Sequence, residues 1–191
     1  VINADRLPTL TTERLRIRWL EASDVPSLFE IFSNADVTRY WGSPRLVDES
    51  GARDLLDEIH GFFRAHTLYQ WGIALASEDR VIGTCTLAAL DKRNRRAELG
   101  FALDRAQWKN GYVAEALPKL FDFAFGELRL HRLEADVDPR NLASIRVVER
   151  LGFQREGYLR QRWLCHDGPQ DTVFYGLLAS EWRDESSEAN A

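Results

Sequence analysis

Residues 106–117 read AQWKNGYVAEAL, and how this stretch is parsed decides the fold. Upstream, Ala97, Leu99, Phe101 and Leu103 alternate with Glu98, Gly100 and Ala102, which is the two-residue period of a strand. Downstream, Val113, Ala116, Leu117, Leu120, Phe121 and Ala124 recur at the spacing of a helix with one continuous apolar face. Gly111 stands between them. The stretch therefore predicts a strand that ends, turns on a single glycine and enters a helix directly. The first turn of a helix leaves its N–H donors unpaired and carries partial positive charge. Successive amides from Lys109 to Ala114 are thus placed to converge on an anion, of which phosphate is the commonest. A turn that needs Gly111 only for its φ angle is the other reading of the same residues. Pro118, inside the predicted helix, removes a hydrogen bond to the carbonyl of Ala114 and predicts a kink.

Working outward, the helix ends before Arg129 and a strand-like run follows from Arg132 to Val137. Strand, crossover helix and strand make a parallel pair, in a chain whose other neighbours read as antiparallel. A further helix spans Leu142 to Leu151, capped by Asn141 and stopped by Gly152. Strands at Gln154 to Cys165 and Asp171 to Leu178 close the pattern around a turn at residues 167–169. On the amino side, Trp71, Ile73 and Leu75 and the run Val81 to Leu90 form a hairpin about Ser77 to Arg80. Ahead of them lie a strand from Arg14 to Leu20 and a helix capped by Ser23 or Asp24. An aromatic loop with Tyr40, Trp41, Gly42 and Pro44 follows, and then an amphipathic helix from Asp48. The expected class is α+β, a mixed and mostly antiparallel central sheet with one parallel pair, flanked by helices. One domain is expected over residues 1–182, with the polar residues 183–191 as a disordered tail.

Composition narrows the function classes. A formal charge of −5 in 191 residues leaves no basic footprint for nucleic acid. The apolar runs fall short of the roughly 20 residues of a membrane span. No charged-then-apolar leader opens the sequence, so a soluble, cytoplasmic protein without membrane attachment is expected. Cys85 and Cys165 have no metal-ligand spacing, and neither do the four histidines, so no metal is expected. The glycine patterns of nucleotide-triphosphate and dinucleotide sites, and a nucleophile elbow, are absent.

Three segments, AELGFALD (Ala97 to Asp104), WKNGYVAEAL (Trp108 to Leu117) and NLASIRVVERLGF (Asn141 to Phe153), resemble in order the GNAT acetyltransferase superfamily. TTERLRIRWLEASDV and QWGIAL are similar to its branch of RimJ/RimL-type ribosomal-protein N-acetyltransferases. The resemblance implies transfer of an acetyl group from acetyl-CoA to a primary amine, with the donor held where the parallel strands splay apart. It places Trp108 and Gly111 at the first and fourth positions of a pyrophosphate loop, Gln/Arg-x-x-Gly-x-Gly/Ala, and Val113 at the last, a departure. Lys109, Asn110, Tyr112 and Ala114 complete that loop. Backbone groups of Phe101, Ala102 and Leu103 would pair with the pantetheine arm as an added strand does, and Asn141 would contact it. A homodimer is common among similar proteins.

Amine acetylation needs a neutral nitrogen, a polarised thioester and a proton for the departing thiolate. Glu98, projecting opposite to Ala97 and Leu99, is the candidate base, directly or through water, and the resemblance has a glutamate at this position. A solvent-facing glutamate paired with Arg96 is the competing reading. Many relatives place a tyrosine where Val148 stands. Ser144 is then the candidate for a hydrogen bond to the leaving thiolate, in the form Asn-x-x-Ser that the RimJ/RimL branch shows, with plain N-capping by Asn141 as the bland reading. Tyr40, Trp41, Tyr69 and Trp71 are candidate walls of an acceptor pocket for a protein N-terminus or a small amine. A non-catalytic acyl-CoA-binding or partner-binding domain on the same fold is the alternative function.

Overall fold

The computed structural model describes residues 5–165 and 168–182. The expected tail, His166 and Asp167 of the expected turn lie outside the described residues. The strands are β1 (Leu10–Thr11), β2 (Leu15–Arg18), β3 (Tyr69–Leu75), β4 (Val81–Asp91), β5 (Arg96–Leu103), β6 (Arg132–Val137), β7 (Gln154–Cys165) and β8 (Gly168–Leu178). The α-helices are α1 (Val25–Ser33), α2 (Ala35–Thr38), α3 (Glu49–Ala65), α4 (Tyr112–Asp122) and α5 (Leu142–Arg150). One sheet runs in the order β1-β2-β3-β4-β5-β6-β8-β7.

Alternation along each strand sends apolar side chains to two separate cores. On one face, Ile17, Ile73, Leu87, Leu99, Leu133 and Leu177 pack against Leu117, Leu120 and Phe121 of α4 and Val148 of α5. On the other, Leu20, Ala74, Val81 and Ala102 meet Leu28 and Ile31 of α1 and Leu56 and Ile59 of α3. Glu98 belongs by register to this second face, because its neighbours Ala97 and Leu99 are buried in the first.

The sheet is antiparallel except between β5 and β6, where α4 provides the crossover. This parallel pairing is brief: Arg96↔Arg132, Ala97↔Leu133 and Glu98↔Glu134. β5 stays paired with β4 as far as Leu103, and β6 stays paired with β8 as far as Val137. Each strand therefore follows its own antiparallel partner, and the two part company just beyond Glu98. The result is a V-shaped opening in the middle of the sheet, at the strand ends from which α4 and α5 are reached.

Some local expectations need correction. Asp24 does not cap α1 with its side chain. Its carboxylate accepts instead from Arg18 at 2.8 and 3.0 Å and from the Glu21 amide at 2.8 Å, across a 3-10 turn at Ala22–Asp24. The pull of a nearly buried guanidinium outweighs a solvent-facing cap. Asp48 does cap α3, accepting from the Gly51 amide at 3.0 Å. After Pro118 the helix continues to Asp122 and then widens into a π-turn at Phe123–Glu127. Gly168 and Pro169, expected in a turn, are the first residues of β8, paired through Cys165↔Gly168. The short helix α2 lies between α1 and the aromatic loop, at residues to which the sequence reading assigns no element.

Candidate active site

The turn after β5 is held in place entirely by its flanks. Asp104 caps a single 3-10 turn by accepting from the Ala106 amide at 3.1 Å, and its own amide donates to Ile82 at 2.8 Å. The indole of Trp108 donates to the Leu103 carbonyl at 2.8 Å, with the Arg105 guanidinium 4.5 Å from the ring centroid. Asn110 reaches the Gln107 carbonyl at 3.2 Å. Lys109 and Gly111 have φ values of 66° and 80°, in the left-handed region that only glycine adopts without strain. Among the described residues, the amides of Lys109 through Ala114 donate to no protein acceptor, and the first α4 bond from outside the helix is Glu115 to Gly111 at 3.0 Å. Six donors at or just before the positive end of a helix are thus left without an acceptor among the described residues. Tyr112 and Val113 pack against the main core, so the valine's branched side chain is directed away from the donors. Beside them, Arg14 is engaged by Glu115, Nε to Oε2 at 2.7 Å, and lies 4.7 Å from the Tyr112 ring centroid.

The V leads away from this turn along β5. Phe101, Ala102 and Leu103 pair with Cys85, Thr84 and Gly83 of β4 on one side only. Their other edge faces the opening, because β6 has already diverged. A Cβ at Gly83 would stand 2.4 Å from the Ala102 carbonyl oxygen, so glycine is what allows β4 to follow β5 closely to its end. An extended arm could add to this edge as a strand would.

Where the strands separate, carboxylates gather. Glu98 is half-buried, and among the described residues nothing donates a hydrogen bond to it. Arg96 is not its partner, contrary to the competing reading, because its guanidinium lies 2.6 Å from Glu134 and 3.5 Å from Asp91. Burial pushes the Glu98 carboxyl above its ordinary value, helped by the negative charges of Asp136 and Glu134 and opposed by Arg162. Glu134 is tied to Arg132 as well as Arg96. Glu134 and Asp136 were not singled out from sequence. The alternation RLEADV, with Leu133, Ala135 and Val137 buried, carries the signal that both acids share a face. Only the register shows that this face is also that of Glu98.

Across the opening, α5 begins with Asn141 accepting from the Ser144 amide at 3.1 Å. The cap occupies Asn141 Oδ1, while the half-buried Ser144 hydroxyl has no hydrogen-bond partner among the described residues. Val148 is fully buried in the core and can take no part in proton transfer. Tyr40 is half-buried, with Arg39 and Arg140 each 5.8 Å from its ring centroid. Trp41 packs on Phe32 at 5.0 Å and keeps an exposed edge. A Cβ at Gly42 would lie 3.8 Å from the sulfur of Cys165, so the loop after α2 reaches the far end of β7. Trp71, in contrast, is 0% exposed. It sits edge-on to Phe123 at 5.6 Å and donates through its indole to the Pro8 carbonyl at 2.9 Å. It is a core residue and not a pocket wall, because inward-facing positions of a central strand belong to the packed face. Tyr69 is likewise buried, with its hydroxyl 3.0 Å from His66 Nδ1.

A helix-start turn with unpartnered amides, a forked sheet and an unpaired glutamate at the fork thus stand along one opening. The family description "Acetyltransferase (GNAT) domain" matches residues 14–154, and the chain belongs to that family. It is 36% identical over 176 residues to the uncharacterized N-acetyltransferase p20 of Bacillus licheniformis, covering 92% of this chain and 99% of the relative. It is 26% identical over 180 residues to the [ribosomal protein uS5]-alanine N-acetyltransferase of Escherichia coli, covering 91% and 92%. A crystal structure of a GNAT-family acetyltransferase from Bacillus anthracis superposes with a TM-score of 0.81 at 26% identity, covering 91% of this chain and all of that one. The protein is an acetyl-CoA-dependent N-acetyltransferase that acetylates an amine. No helix among the described residues is long and apolar enough to cross a membrane. No group of three or more metal-ligating side chains occurs among them either.

Proposed function

We propose that the protein acetylates a primary amine, either a protein N-terminal α-amine or a small amine, with Glu98 as the base and Ser144 assisting the thiolate. The observation that carries this reading is the half-buried, unpaired Glu98 at the point where β5 and β6 separate. A carboxyl held above its ordinary value by burial is matched to accepting a proton from an ammonium before attack, directly or through one water. The unpartnered amides of 109–114 and the open edge of Phe101–Leu103 fit the pyrophosphate and pantetheine of acetyl-CoA, with Lys109 adding charge and Asn141 close to the arm. Acetyl-CoA supplies the activated acetyl group. The Ser144 hydroxyl, with no competing partner, is available to donate to sulfur as negative charge develops there. Tyr40 and Trp41 supply aromatic wall on the acceptor side. The 26% identity to an enzyme named for a ribosomal-protein alanine supports the N-terminal acceptor within this class.

The test is to mix the purified protein with acetyl-CoA and a panel of α-amine peptides, lysine peptides and small amines, and to follow free thiol. Amine-dependent thiol release is expected. Thermal stabilisation by CoA without thiol release from any amine would instead indicate a binding domain on this fold.

A further inference from the structure

Asp136 is the least satisfied charged group near the fork. Its side chain is 4% exposed. One oxygen accepts from the Thr172 hydroxyl, while Oδ2 is buried and has no hydrogen-bond partner among the described residues. The strand pairing around it is complete without that oxygen, since β6 and β8 remain in register and Thr172 also reaches the Val137 carbonyl at 3.1 Å. Leaving a buried carboxylate oxygen without a hydrogen bond is unfavourable. The cation nearest to it is Arg162, whose Nε stops 3.7 Å from Oδ2, beyond hydrogen-bond reach. Arg96 and Arg132 are engaged by Glu134, Asp91 and Glu156.

Arg162 is a loosely held cover. Its side chain is 51% exposed and leans over Trp163, 5.2 Å from the ring centroid. It rises from the part of β7 where the register with β8 slips between Leu159 and Trp163, next to Gln161 with a φ of 50°. Asp136 itself lies two residues along β6 from Glu134, the register partner of Glu98, and on the same face. Its charge acts on Glu98 more strongly than that of Glu134 does. Two carboxylates, one with no donor and one half-satisfied, thus stand roughly 7 Å apart along the strand direction, on the two arms of the V.

We propose that Asp136 is a second anion of the acceptor site, that Arg162 stands in for the ligand there, and that the preferred acceptor carries a second positive charge near its reacting amine, as an alkyl diammonium does. The inference rests on the reading of Glu98 as the base beside the acceptor. The incoming cation replaces the Arg162 guanidinium on Oδ2 and makes the hydrogen bond that Arg162 does not, which leaves the other nitrogen at Glu98.

The probes are 1,3-diaminopropane and n-propylamine, titrated calorimetrically into the CoA-loaded protein. The diamine is expected to bind at least about ten-fold more tightly, as one charge-assisted hydrogen bond implies. Asp136→Asn should remove that difference, and Arg162→Gln should enlarge it by taking away the competitor. Equal affinity of the two amines for the unaltered protein, no binding of either, or a difference that persists in Asp136→Asn overturns the proposal. Should Asp136→Asn fail to fold, Arg162→Gln decides, since its position is half exposed and an unchanged diamine affinity also overturns it. A diamine preference without thiol release from acetyl-CoA would sink the catalytic reading and leave this one standing. Thiol release with equal amine affinities would do the reverse.

Discussion

The turn from Trp108 to Ala114 and the carboxylate face at Glu98 and Asp136 lie at opposite ends of one opening, and both are left unsatisfied by the fold, but in opposite senses. The turn presents donors: main-chain amides from which no carbonyl among the described residues accepts, beside the positive end of α4. The face presents acceptors: the Glu98 carboxylate and Oδ2 of Asp136, to which no donor among the described residues hydrogen-bonds. One is made of backbone and the other of side chains. A backbone site tolerates replacement of the side chains around it, as Val113 illustrates by turning inward, and depends on φ angles. A side-chain site loses its function with a single atom. The opening therefore pairs a donor turn fixed by backbone geometry with an acceptor face that single side-chain replacements can change.

The sharpest way to break this contrast is at Glu98. Glu98→Gln keeps the shape and removes the base, and should lower kcat on high-pKa amines by about 100-fold or more while CoA affinity stays level. In the unaltered protein the base works only when deprotonated, so kcat should fall as pH drops through a value above the ordinary glutamate one. That acid limb should vanish in the variant. Linkage gives a second sign. A carboxyl whose folded value is raised contributes stability at low pH that is lost as pH rises through that value, so Glu98→Gln should melt at a higher temperature than the parent at pH 7. Unchanged turnover would remove Glu98 as the base.

At the other end, Gly111→Trp forces a bulky residue into a φ of 80° and should weaken CoA binding about 10- to 100-fold, measured by calorimetry. Normal affinity would mean that the phosphates sit elsewhere. The smallest effect is expected at Lys109, an exposed side chain on the same turn. Lys109→Ala should cost no more than about three-fold in CoA affinity, and less in high salt, because one exposed charge is screened while the amides remain. A large loss there would show that side-chain charge, and not backbone, dominates the cradle.

The two regions differ equally in how far they could be read in advance. The turn was legible because everything that makes it is local: alternation to Leu103, one glycine, then helical spacing from Val113. The same holds for the Asn141 cap of α5 and for the start of α3 at Asp48, each set by neighbours within a few residues. Glu98 was legible as a candidate because it alternates with buried Ala97 and Leu99. Its lack of a partner was not, since Arg96, two residues away, could equally have turned toward it and instead reaches Glu134, 38 residues on. Trp71 and Tyr69 show the converse, because aromatic residues on a strand look alike whether they face the core or a cleft, and helix packing puts these two in the core.

By itself, then, the order of residues determined the strand, the turn and the helix that leave the amides of 109–114 without an acceptor, since φ preferences and side-chain periodicity act over one or two turns of chain. Only the tertiary structure decided which carboxylates meet at the fork, and that Asp136 is buried there with an oxygen to spare. Those contacts depend on where β5 stops following β6, and that point is set by competing antiparallel pairings far apart in the chain.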